Sequence, residues 1–121
     1  MNCCSTDTNC PVGATLHLIG GKYKSLILWH LIDGAMRYGE LQKIIPQATP
    51  KMLTQQLREL ESDKLVRREV FPVVPPKVEY SLTDFGRSLQ PILRAMYAWG
   101  AAYMRDNDLE ITCSMVTGDA I

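Results

Sequence analysis

Residues 37–80 read RYGELQKIIPQATPKMLTQQLRELESDKLVRREVFPVVPPKVEY, and the fold turns on them. Thr49-Pro50 is a helix start: threonine can cap backbone N–H groups, and proline fits a first turn where its missing donor costs nothing. From there Leu53, Leu57 and Leu60 recur at the 4,3 spacing of a buried stripe. Lys51, Thr54, Gln55 and Arg58 fall on the other face. Upstream, Tyr38 to Ile45 predicts a short helix with Leu41, Ile44 and Ile45 inward, closed by Pro46. Downstream, Leu65-Val66 leads a strand on through Val70-Phe71. Pro72-Val73-Val74-Pro75-Pro76 cannot lie mid-sheet and predicts a hairpin tip. Val78, Tyr80 and Leu82 then alternate with Lys77, Glu79 and Ser81 as a half-exposed return strand.

Short helix, turn, amphipathic helix and hairpin, in that order, are the layout of a winged helix-turn-helix, which sets one helix in a DNA groove. The expected fold class is mainly α with a small β-hairpin wing. Lys51, Thr54, Gln55 and Arg58 sit at i, i+3, i+4 and i+7 and carry the donors and acceptors that base edges match. Gln55 suits adenine; Arg58 suits guanine or a phosphate. Thr49 and Lys51, near the helix N-terminus, are placed for phosphates. Arg67, Arg68 and Lys77 flank the hairpin tip. Arg68 and Lys77 are the candidate backbone contacts, since one of two neighbouring arginines in an alternating strand must point away. Edge cations that discourage sheet pairing are the plainer reading of the same residues, as a solvated face is of the helix.

The flanks supply the rest of the core. Pro11 opens a helix carrying Val12, Leu16 and Ile19, stopped by Gly20-Gly21. A second helix, about Tyr23 to Ile32, buries Ile27, Leu28, Leu31 and Ile32 and ends at Asp33-Gly34. A last helix is expected from Asp84 to Asp106, capped by Thr83 and kinked at Pro91. It bears two apolar stripes, Phe85-Leu89-Ile92-Met96-Trp99-Tyr103 and Leu93-Tyr97-Gly100-Met104. One stripe docks the helix; a second implies a partner subunit. The predicted organisation is a flexible segment 1–9, one domain over 10–106 and a flexible tail 107–121.

The 121 residues are 46% apolar with no net charge, which suits a single domain that dimerisation would help. The charge is nonetheless sorted. Residues 22–94 hold twelve Lys/Arg against eight Asp/Glu, while the two ends hold one Arg against five acids. The basic charge thus coincides with the helix-turn-helix segment. Met1-Asn2-Cys3-Cys4 has neither the basic nor the apolar region of a signal peptide, and Leu26 to Ile32 is too short to span a bilayer. A cytoplasmic protein is expected, with no membrane partner. Cys3, Cys4, Cys10 and Cys113 then read as thiols. Cys10 precedes Pro11 at a helix N-terminus, where the dipole favours thiolate. A small side chain in a dimer interface is the other reading, and both stay open. Cys-Cys-x5-Cys fits no common zinc spacing, and no nucleophile elbow, Cys-x-x-Cys or metal-ligand motif is present. No enzyme activity, cofactor, metal or catalytic residue is expected.

On these residues the chain resembles the HxlR-type transcriptional regulators, winged-helix relatives of the MarR proteins. The matching pieces are Cys10-Pro11-Val12, Ile19-Gly20-Gly21-Lys22-Tyr23, Leu26-Ile27-Leu28, Arg37-Tyr38-Gly39-Glu40-Leu41, the helix Thr49 to Glu61, Val74 to Tyr80, and Leu82-Thr83-Asp84-Phe85-Gly86. They run in order across about residues 10–104. Gly39 stands where a polar residue such as Ser is common in the family, and Tyr23 where Trp is common. The resemblance implies a homodimer, joined through N- and C-terminal helices, that binds double-stranded operator DNA. It also implies that Cys10 occupies the position through which several members sense oxidants, quinones or aldehydes. The function expected is a sequence-specific DNA-binding regulator with a thiol switch at Cys10 as an added reading. The alternative is a winged-helix module that binds a protein and no DNA.

Overall fold

The computed structural model describes residues 10–112. Six helices and three strands follow in the order α1 (Pro11–Ile19), α2 (Lys24–Leu31), β1 (Met36–Arg37), α3 (Tyr38–Ile44), α4 (Pro50–Ser62), β2 (Val66–Phe71), β3 (Lys77–Leu82), α5 (Asp84–Arg87) and α6 (Gln90–Asp106). α2 is the hub. Its Ile27, Leu28 and Leu31 are sealed from solvent, and it packs against α4, α6 and β3. Leu41 and Ile45, Leu53, Leu57 and Leu60 of α4, and Leu65-Val66 complete the core. Each is apolar at a position its element turns inward, so burial and periodicity agree.

The hairpin is part of a three-stranded antiparallel sheet ordered β1-β3-β2. β2 and β3 pair from Val66 opposite Leu82 to Phe71 opposite Lys77. The third strand, β1, was not anticipated. It is two residues long, with Met36 opposite Tyr80 and Arg37 opposite Glu79, and it exists through its partner rather than through any local pattern. α4 ends where Lys64 turns into the left-handed region at φ 66°. Thr83 then ties the sheet to α5: its hydroxyl donates to the Lys64 carbonyl at 2.6 Å and accepts from Gly86 N–H at 3.0 Å. Gly86 is needed there, because a Cβ would collide with the Leu65 carbonyl oxygen.

Two expectations are corrected. The helix expected from Asp84 to Asp106 is two helices, interrupted at Ser88-Leu89. Leu89 N–H reaches back three residues to the Gly86 carbonyl, a tight last turn, and α6 then begins at Gln90. Pro91 does not kink a helix; it occupies a first turn, where no N–H is missed. Ile44, expected inward, is 38% exposed, since α3 stops there and Ile45 takes the buried place. Of the two stripes on α6, Leu93 and Tyr97 dock against α2, with Tyr97 stacked on Trp29. Ile92, Met96, Trp99 and Tyr103 stay exposed. Residues 1–9 and 113–121, and with them Cys3, Cys4 and Cys113, lie outside the described residues.

Candidate nucleic-acid interface

α4 is built as a helix with one face buried and one face available. Thr49 caps it by accepting from Met52 N–H at 3.2 Å, and Pro50 fills the first turn. That bond uses an oxygen lone pair of Thr49 and leaves its O–H to donate. Lys51, Gln55 and Arg58 are exposed and share roughly 60° of helix surface at 3.6 residues per turn. Thr54 is half-buried at the edge of that face, with its hydroxyl 3.4 Å from the Tyr38 hydroxyl. Tyr38 also donates to the Pro50 carbonyl at 3.0 Å, so α3 grips the start of α4. α3 is itself capped by Glu40, which accepts from Arg37 N–H at 2.8 Å.

A second set of contacts fixes α4 from the other side. Tyr23 N–H donates to Gln56 Oε1 at 3.0 Å, and the Tyr23 hydroxyl donates to the Gln47 carbonyl at 3.1 Å. Lys24, buried at the start of α2, places Nζ 2.7 Å from Glu59 Oε1. Gln55 Nε2 donates to the other oxygen of Glu59 at 3.3 Å. The hydrogen bond from Lys24, then that from Gln55, hold the Glu59 carboxyl below the ordinary carboxylate range. Sequence reasoning missed Tyr38, Lys24, Gln56 and Glu59. Gln56 carried a signal, a polar residue between inward Leu53 and Leu57 that must find a partner; the others carried none, because their partners lie far along the chain.

The wing sorts its charges by face. Arg68 lies opposite Tyr80 on the face shared with buried Val66 and Leu82. Arg67, Glu69, Glu79 and Lys77 lie on the other. There Arg67 is 4.0 Å from Glu69, and Lys77 is 3.3 Å from Glu79 with its ammonium 4.9 Å from the Phe71 ring centre. The tip is apolar, with Val74 wholly exposed.

Cys10 is the N-cap residue of α1, and the residue is 5% exposed. α1 also carries exposed Val12 and Leu16, which line a groove with Ile92 and Met96 of α6. His17 is exposed and His30 is buried in α2. Among the described residues no group of His, Cys, Asp and Glu could hold a metal ion, and no helix is long and apolar enough to cross a membrane.

The same design occurs in known proteins. A family model described as an HxlR-like helix-turn-helix matches residues 18–108. The uncharacterised HTH-type transcriptional regulator YdeP of Bacillus subtilis is 56% identical over 94 residues, 78% of this chain and 73% of its own. Among solved structures, the redox regulator HypR in its oxidised form has a TM-score of 0.75 at 56% identity, over 77% of this chain and 96% of that one. The reduced form of the transcriptional regulator YodB from B. subtilis has a TM-score of 0.67 at 40% identity, over 74% and 89%. Motif order, capped fourth helix and wing all lead to one assignment: the chain belongs to the HxlR-like helix-turn-helix family of transcriptional regulators.

Proposed function

We propose that the protein binds operator DNA in the cytoplasm as a homodimer, reading bases with α4 and gripping the backbone with the wing. The observation that carries this is the exposed face of α4, on which Lys51, Gln55 and Arg58 stand clear of the core while Tyr38, Gln56 and Thr49 fix the helix around them. Thr49 and Thr54 extend the contact, as do Arg68 and Lys77 from opposite faces of the wing. The exposed Ile92-Met96-Trp99-Tyr103 stripe, beside Val12 and Leu16, is the dimer surface in this reading. An apolar strip of that kind favours a second subunit over water. Two copies would face two half-sites of one operator.

The test is a gel-shift against the DNA upstream of its own and neighbouring genes, repeated across salt concentrations. Binding should fall steeply as salt rises, because phosphate contacts release counterions. Replacing Lys77 should weaken selected and random duplexes alike. Capture of a protein partner with no retarded DNA at any salt concentration would favour the protein-binding module instead.

A thiol switch is a second reading, favoured by Cys10 standing at the positive end of α1. The name of HypR, a redox regulator, points the same way. An oxidant or electrophile that modifies Cys10 would act on the helix beside the dimer surface. Diamide, which takes two electrons and two protons from a pair of thiols, should change the DNA affinity of the parent and leave Cys10→Ser unaffected. An equal response in both proteins removes Cys10 from the switch.

A further inference from the structure

We propose that Glu59, held by Lys24, is a positioning residue that fixes which end of the Gln55 amide faces a base. This rests on the reading of α4 as the DNA-reading helix. A glutamine amide has an oxygen that accepts and a nitrogen that donates, nearly equal in shape, so only hydrogen-bond partners decide its orientation. An ionised carboxylate accepts and cannot donate. The Glu59 oxygen 3.3 Å from Gln55 Nε2 therefore admits only the amide nitrogen on that side. The second Nε2 hydrogen and Oε1 are then presented together in one sense, the pair that adenine N7 and N6 require.

Lys24 makes this arrangement tolerable. A bare carboxylate on a DNA-facing helix repels phosphate. Nζ of Lys24, 2.7 Å from the other Glu59 oxygen, neutralises it. The dependence is mutual. Lys24 is 7% exposed and stands at the first position of α2, where the helix dipole disfavours a cation, so its ammonium needs an anion. The lysine stem reaches Glu59 past Gly21. A Cβ at Gly21 would come 2.9 Å from Lys24 Cδ and 2.6 Å from Gln56 Oε1, so the turn between α1 and α2 is closed down on this network.

The experiment selects duplexes from a randomised DNA library with the parent, Gln55→Ala, Glu59→Gln, Lys24→Met and the double variant Lys24→Met/Glu59→Gln. Thermal melting of each protein is measured alongside. Glu59→Gln keeps the volume but offers both donor and acceptor, so the Gln55 amide can turn over. Preference should relax about tenfold at the one base position that Gln55→Ala also relaxes, and at no other. Lys24→Met should lower affinity for all duplexes, most at low salt, and the double variant should restore it. Unchanged preference in Glu59→Gln, or an even loss at every position, overturns the proposal while leaving the DNA-binding reading intact. So does a failure of the double variant to recover affinity. If the parent enriches no sequence, both fall.

Discussion

Trp29 and Tyr97 stack with ring centres 5.1 Å apart and planes 15° from parallel. Trp29 is on α2 and Tyr97 on α6, so this pair joins the hub of the helix-turn-helix core to the helix that bears the exposed apolar stripe. Truncating the nearly buried Trp29 removes a large apolar surface and leaves a cavity. Trp29→Ala should destabilise the protein by about 3–5 kcal/mol. Urea unfolding followed by circular dichroism measures it; a loss within experimental error would mean that the stack contributes nothing.

Arg58 is exposed on α4, and the buried stripe of that helix does not include it. Arg58→Ala should weaken binding to duplexes selected by the parent protein by about 1–3 kcal/mol and relax specificity at one position, with melting temperature and oligomeric state unchanged. Fluorescence anisotropy on labelled duplexes reads the first effect. Normal affinity in this variant would show that the reading face is misassigned.

Trp99 is 72% exposed and stacks on Tyr103 at 5.8 Å, a large aromatic surface turned outward. A charge introduced there has nothing to pay in the monomer but must be desolvated between subunits. Trp99→Glu should shift sedimentation from dimer to monomer while the far-ultraviolet spectrum stays that of the parent. A variant that sediments as the parent does would place any dimer surface elsewhere.

Two glycines should respond oppositely to alanine. Gly86→Ala sets a methyl against the Leu65 carbonyl, with Leu82 close behind, and should cost more than about 1 kcal/mol. Gly39, in α3, has open space where its Cβ would stand. Gly39→Ala should stabilise by up to about 1 kcal/mol through helix propensity. Thermal melts of the two variants side by side decide both.

Burial holds His30 below its ordinary value of 6.5, with Asp33 pulling the other way. The folded protein thus binds this proton less readily than the unfolded chain. Stability from the neutral imidazole is full above pH 6.5 and is lost as pH falls through the depressed folded value. Glu59 is lowered from 4.5, so its contribution is also present at higher pH and is lost only in more acid solution. Urea midpoints between pH 4.5 and 6.5 should therefore lie below those at neutral pH, and His30→Gln should flatten the difference. An unaltered slope in that variant would assign the pH dependence to other groups.

What was legible in the sequence was local. The α4 boundary at Pro50 is written in Thr49 and Pro50, and its orientation in three leucines at helical spacing. The wing is written in its prolines and in the alternation from Lys77 to Leu82. What was not legible depended on distant partners. β1 is a strand because β3 passes beside it. The need for glycine at position 86 is set by Leu65, a residue on the far side of the hairpin, whose carbonyl leaves no room for a Cβ. The Lys24–Glu59 pair spans two helices, and neither residue looks unusual on its own.

The pairing of β2 with β3 also governs how this protein can tolerate changes of length. Side chains alternate between faces, so a single residue inserted between Val66 and Arg67 must either bulge out or, with Val66 held in place, send Arg68 to the side of Lys77 and Glu79. Arg67 would then turn toward the Tyr80 side. Insertions among residues 72–76 leave that sorting untouched. Between Val66 and Phe71 the charge pattern is locked to strand parity, whereas the hairpin tip is a place where length can drift without re-addressing a single arginine.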